Sequence, residues 1–143
     1  VAISALSTNL GAADVTEVEW ITTAADKSAG FTLSVRVRYN EAVTVTGSPT
    51  LAVTNGNQGS GSGRGPHTLV YASGTGTNEL VFSLAIAANN NATNANDVLT
   101  IGAQNIAKPG GATMKDTSGT ASDSAVAISG AQGTAAGSIT VVA

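Results

Sequence analysis

An all-β chain folded as a two-sheet sandwich is the fold class this sequence predicts, and three observations predict it. From Phe31 the residues run in steps of two: Phe31, Leu33, Val35, Val37 and Tyr39 alternate with Thr32, Ser34, Arg36, Arg38 and Asn40. Successive side chains of an extended strand point to opposite faces, so this order makes one face for a core and one for water. The same period returns at Leu80, Phe82, Leu84 and Ile86. Seventeen glycines with abundant Thr, Ser and Asn supply closely spaced turns, and no helical period persists over a useful length.

Residues 1–13 are small and polar and read as an N-terminal arm; residues 14–128 are the expected sandwich. Val15, Val18, Trp20 and Ile21 mark its first strand, with Glu17 and Glu19 on one face. Trp20 is expected as a core plug whose indole N–H finds a carbonyl. The turn from Ala24 to Gly30 leads into the long Phe31 strand, which continues through Val43 and Val45. Pro49 belongs at a strand start or an edge, because proline cannot donate to a sheet ladder. A strand follows at Leu51 and Val53. Residues 55–66, with five glycines and no apolar side chain, read as a loop that buries too little to order itself. The strand of Leu69, Val70 and Tyr71 then reverses through Ser73–Asn78 into the Leu80 strand as a hairpin. Beyond the polar stretch 89–97 lie Val98, Leu99, Ile101 and Ile106; Met114 caps the core, and Val126 with Ile128 forms the last strand of the body. Residues 129–143 are a C-terminal arm or an added strand, apolar at Ile139, Val141 and Val142, whose pairing partner is either this domain or a neighbour.

The chain of 143 residues suits a single domain. Its apolar content is 42% but its aromatic content only 3%, which favours a thin aliphatic core over a deep aromatic pocket. Six scattered cations and a net charge of -3 give no footprint for nucleic acid. With no cysteine there are no disulfides or thiolate metal sites. No apolar stretch reaches membrane-spanning length, and the first residues lack the basic start of a signal peptide. Val1 is compatible with a trimmed start methionine or with a segment cut from a longer chain.

Chemistry is sparsely encoded. A P-loop needs GK[ST] opening a helix, which the glycine-rich segment lacks. His67, the one histidine, is the sole candidate base, and no G-x-S-x-G elbow accompanies it, so it is expected to be an exposed loop residue. Glu17, Glu19, Glu41 and Glu79 show no pair facing across a groove, as glycoside hydrolysis requires. The segments 89–97 and 116–119 each hold one acid and read as Asx-turn chemistry before a calcium site. Asn91-Ala92-Thr93 matches a glycosylation acceptor, which has meaning only in a secreted chain. The expectation is therefore no enzyme, no catalytic residues, no cofactor and no metal.

Three segments, 39–51 (YNEAVTVTGSPTL), 71–82 (YASGTGTNELVF) and 110–116 (GGATMKD), together resemble the immunoglobulin-like repeat of large bacterial surface adhesins. The resemblance covers residues 15–128 and implies an immunoglobulin-like antiparallel sandwich with extended terminal arms. Related modules decorate the virions of tailed bacteriophages, which implies a non-enzymatic capsid decoration or cement subunit. Its partners would be the major capsid protein, other virion proteins or copies of itself, with no nucleic acid or membrane, and it would reside on a virion assembled in the host cytoplasm. The alternative is a single adhesin repeat on a bacterial surface. A carbohydrate-binding module would need exposed aromatics, whereas Trp20, Tyr39 and Tyr71 all lie in core-like patterns. Arg64, His67, Ile139, Val141 and Val142 are the expected partner contacts, and removal of residues 129–143 is expected to leave the domain folded.

Overall fold

A computed structural model describes residues 13–56, 66–89, 93–117 and 123–143. The chain is built of β1 (Val15–Trp20), β2 (Ala25–Asp26), β3 (Phe31–Thr46), β4 (Thr50–Gly56), β5 (His67–Ser73), β6 (Thr77–Ile86), β7 (Val98–Thr100), β8 (Gln104–Asn105), β9 (Thr113–Asp116), β10 (Ala127–Ile128) and β11 (Ser138–Val142), with one short helix, α1 (Gly130–Ala136). Strands β1 to β7 with β9 and β11 form a sheet in the order β1-β3-β6-β5-β4-β7-β11-β2, β9 joining β3, while β8 and β10 pair separately. All-β is thus the class.

The sheet cannot be flat. Its end strands are seven steps apart, about 34 Å at the usual strand spacing, yet residues 21–24 alone join β1 to β2, a reach of roughly 17 Å. The sheet therefore curls until its two ends meet. Two strands carry the bend by changing partners along their length. Residues 50–53 of β4 pair with β5 and residues 54–56 with β7. In β3 the first half pairs with β1 and β6, and after an irregularity between Arg38 and Val43 the second half pairs with β9.

Inside the curl lies one aliphatic core. Leu33, Val35, Val37 and Tyr39 of β3 are buried, and Val35 and Val37 stand opposite Phe82 and Leu80 of β6, as the alternation predicts. Leu51, Val53, Leu69, Leu99, Ile101 and Met114 complete the packing. At the β5–β6 hairpin the turn needs glycine: Gly74 has φ of +115°, and a Cβ there would overlap the Glu79 carbonyl.

At both ends the described chain packs against the sheet. Of the predicted N-terminal arm, residues 1–12 lie outside the described residues. Ala13 is no arm residue: it is fully buried, and its carbonyl accepts from Ala125 N at 2.8 Å. Of the two readings of residues 129–143, arm or added strand, the structure has the strand, preceded by a short helix. Ser129 caps α1 in a reciprocal capping box with Gln132, and Gly137 ends it at φ of +81°. Seven residues with two glycines carry too little period to be read as a helix; caps and packing hold it. Gln132 Nε2 donates to Val15 O at 3.0 Å and Trp20 Nε1 to Gly137 O at 3.2 Å, so α1 lies along the open edge of β1. An unpaired edge invites pairing with other chains, and this cover removes the invitation. Finally β11 pairs antiparallel with β7 and parallel with β2, completing the sheet from within.

Candidate functional site

The predicted contact residues fall into different environments. Ile139 and Val141 point into the core, 8% and 1% exposed, because alternation along β11 turns every second side chain inward. They are unavailable to a partner while β11 is seated. Val142, on the opposite face, is 55% exposed. Arg64 lies outside the described residues. His67 is not an exposed loop residue: it opens β5 and is buried. Counting back by two from the buried Leu69 reaches it, and that was the signal in the sequence.

His67 belongs to a polar cluster at one end of the sheet. Asn55 Nδ2, on the last turn of the β4 ladder, lies 3.4 Å from His67 Nε2 with both residues buried. The turn before β7 brings up Asp97, which is fully buried. Its Oδ2 accepts from Asn94 N at 2.8 Å, while Oδ1 has no hydrogen-bond partner, nor has the hydroxyl of the buried Thr93. Burial pushes the His67 pKa down, and the Asp97 charge opposes this more weakly. The ring is therefore held neutral at neutral pH.

The same turn is a buckle for two elements. Val141 N donates to Asp97 O and Asn96 N to Val141 O, each at 2.8 Å, which fastens β11. Lys27 Nζ donates to Asn94 Oδ1 at 3.0 Å, and Lys27 N to Val142 O at 2.9 Å, which fastens the turn after β2. The sequence shows the Asx chemistry of this segment but not the burial of Thr93 and Asp97.

On the outer face of β1, β3 and β6 the charges interleave. Arg36 lies 2.8 Å from Glu19 and 3.6 Å from Glu79; Arg38 lies 3.1 Å from both Glu19 and Glu79 and 3.4 Å from Glu17. These groups are a third to a half exposed, so solvent screens each pair and it contributes little to stability. Three acids are thereby engaged by arginines on a convex surface rather than set across a groove. A cleft of about 450 Å³ lies between α1 and the chain after β7, walled by Ile101, Gly102, Ala103, Gly133 and Thr134 among others, none of its lining titratable. Among the described residues no three His, Asp or Glu side chains converge as a metal cage, and no helix is long and apolar enough to cross a membrane.

Trp20 and Tyr71 are half-buried and Tyr39 buried. The Tyr39 hydroxyl donates to Ala125 O at 2.8 Å, and Tyr71 packs edge-on against Phe82 at 6.2 Å between ring centroids. These aromatics serve the core and its corners. Comparison with known proteins finds no family model, no curated protein and no solved structure that matches this chain.

Proposed function

We propose that this chain is an immunoglobulin-like, non-enzymatic structural module that docks on the shell of a tailed bacteriophage as a decoration subunit. One observation carries the reading. The three segments that resemble the adhesin repeat are distant in sequence, yet they meet at one corner. Val43–Thr46 pair with Thr113–Asp116, Val45 N donates to Thr75 Oγ1, Gly76 N donates to Val43 O, and Gly47 packs on Ala112. Residues that build such a corner serve architecture rather than chemistry. Strand order supports the same reading: β1, β3, β6 and β5 correspond to strands A, B, E and D of an immunoglobulin domain, and β4, β7 and β11 to C, F and G.

Docking would act mechanically. A subunit that binds only the assembled shell stabilises it over its parts by mass action. With Ile139 and Val141 engaged in the core, the exposed apolar side chains Val142, Val70 and Ile21 are the contacts to test. The step from fold to virion is analogy, so the decisive experiment is direct: cryo-electron microscopy of purified particles, with mass spectrometry for this chain. Repeated density of one sandwich per shell position is expected. Recovery of the chain only within a long surface polypeptide, with copies at a fixed period, would replace this reading with the adhesin repeat, which the same three segments favour as the second reading.

A further inference from the structure

We propose that β11 is an exchangeable strand: two copies of this chain pair by trading residues 138–142 about a hinge at Gly137, each filling the lane between β7 and β2 of the other. The inference is independent of what the module docks on, since its partner is a second copy.

Three features of the geometry point to it. First, the seat of β11 does not distinguish its own chain from another copy. Ser138, Ile139 and Thr140 pair with Thr100, Leu99 and Val98, and Val141 and Val142 pair with Ala25 and Asp26. Main-chain bonds to Asn96, Asp97 and Lys27 hold the far end. Ile139 and Val141 fill the core, and among the described residues no side chain of this neutral strand makes a hydrogen bond or ion pair. A second copy offers every one of these contacts.

Second, an empty lane is not a resting state. Lifting β11 bares the main-chain edges of β7 and β2 together with the core sites of Ile139 and Val141. The lane therefore refills, with its own strand or, as concentration rises, with that of a neighbour. Exchange re-forms the same bonds, so only the entropy of association and the state of the hinge separate the two outcomes.

Third, the hinge is one residue. The helix α1 stays on β1 by ties of its own: the Ser129–Gln132 box, Gln132 Nε2 to Val15 O, and Trp20 Nε1 to Gly137 O. The ladder of β11 begins at Ser138, so Gly137 alone turns the chain back into its own sheet. It does so at φ of +81° and ψ of -164°, a backbone conformation kept almost wholly to glycine. Short, constrained hinges favour swapping, because opening them lets the strand run on into a neighbour. A Cβ at position 137 would meet nothing within 4 Å, so a substitution there acts on the hinge conformation alone.

The test uses introduced thiols, which report cleanly because the chain has no cysteine. Thr100 and Ser138 stand opposite each other across β7 and β11. Carried by one chain, Thr100→Cys and Ser138→Cys should close an internal disulfide. Carried by separate chains, they meet only when β11 of one copy lies in the lane of the other. The two single variants are mixed under reduction in mild urea, returned to buffer and trapped with oxidised glutathione, and a non-reducing gel with mass spectrometry reads the bond. A dimer linked 100 to 138 is expected, its yield rising with concentration and about tenfold when both chains also carry Gly137→Ala, since each dimer relieves two strained hinges. The proposal is overturned if the yield is no greater than for Ser138→Cys mixed with Thr32→Cys, a collision control at an exposed position of β3, while the double variant closes its own bond. It is equally overturned if Gly137→Ala leaves the yield unchanged. Should the double variant not close, sedimentation of the cysteine-free chain and of Gly137→Ala decides: a dimer that grows with concentration and is enriched by the substitution is expected, and monomer alone from both refutes the exchange.

Discussion

Substitution of Gly133 by alanine tests how closely α1 is pressed on the sheet. In an isolated helix interior the change stabilises, by about 1 kcal/mol. Here the new Cβ would stand 2.7 Å from Ile101 O, 3.2 Å from Ile101 C and 3.3 Å from Gly102 C, all main-chain atoms that cannot rotate away. Relief requires moving the helix, and the helix is tied to β1 through Gln132 and Trp20. Overpacking of this kind costs roughly 1–3 kcal/mol. With the propensity gain set against it, a net loss of up to about 2 kcal/mol is expected, which lowers a urea midpoint by up to roughly 1 M. Gly130→Ala is the internal control, since its Cβ would meet only Ala103 Cβ at 4.0 Å; it should be neutral or stabilising by up to about 1 kcal/mol. Urea unfolding followed by circular dichroism and by Trp20 fluorescence reads both variants. If Gly133→Ala is as stable as Gly130→Ala, the helix does not rest on the Ile101 carbonyl and the argument for a tightly covered edge fails.

Three further outcomes are expected. Gly74→Ala should destabilise by about 2–4 kcal/mol, since it combines a left-handed backbone with overlap on the Glu79 carbonyl; an unchanged melting temperature would refute the hairpin geometry. Ending the chain at Gly137 removes β11 and two buried side chains worth about 1.5–3 kcal/mol each, besides its ladder on both sides, so the product should lack a cooperative transition; a dispersed NMR spectrum would show that β11 is dispensable. Asp26 accepts from Ser28 Oγ, Ser28 N and Ala29 N, which lower its pKa. The folded chain therefore holds this proton less tightly than the unfolded one, and the benefit, present above about pH 4, fades as pH falls through the folded value. Asp26→Asn should be less stable than the wild type at pH 7 and equal to it in strong acid; a gap that persists in acid would contradict this.

Long elements were legible because their period is long. The sixteen residues of β3 and ten of β6 repeat the alternation often enough to fix which face is buried. Two-residue strands such as β2, β8 and β10 hold no period at all, and tertiary pairing alone defines them. For β11 the alternation of Ile139 and Val141 marked an apolar face, but nothing local says whether its partner is β7 or another chain. His67 was misread because Pro66 and the glycine-rich stretch before it carry a stronger turn signal than one residue of alternation can oppose. Its placement within reach of the Asp97 charge depends on the fold of the whole sheet, which no window of sequence contains.

The parallel pairing of β2 with β11 has a kinetic meaning. Residues 25–26 gain their ladder only when residues 141–142 exist, so during synthesis the early strand waits for more than a hundred residues downstream of it. Closure of the curl is thus a late event of high contact order, slow compared with local hairpins such as β5–β6. Until then Leu99 and its neighbours face a vacant lane. A ribosome stalled before Ser138 would carry a nascent module open along that lane, the form most prone to stick to its own kind.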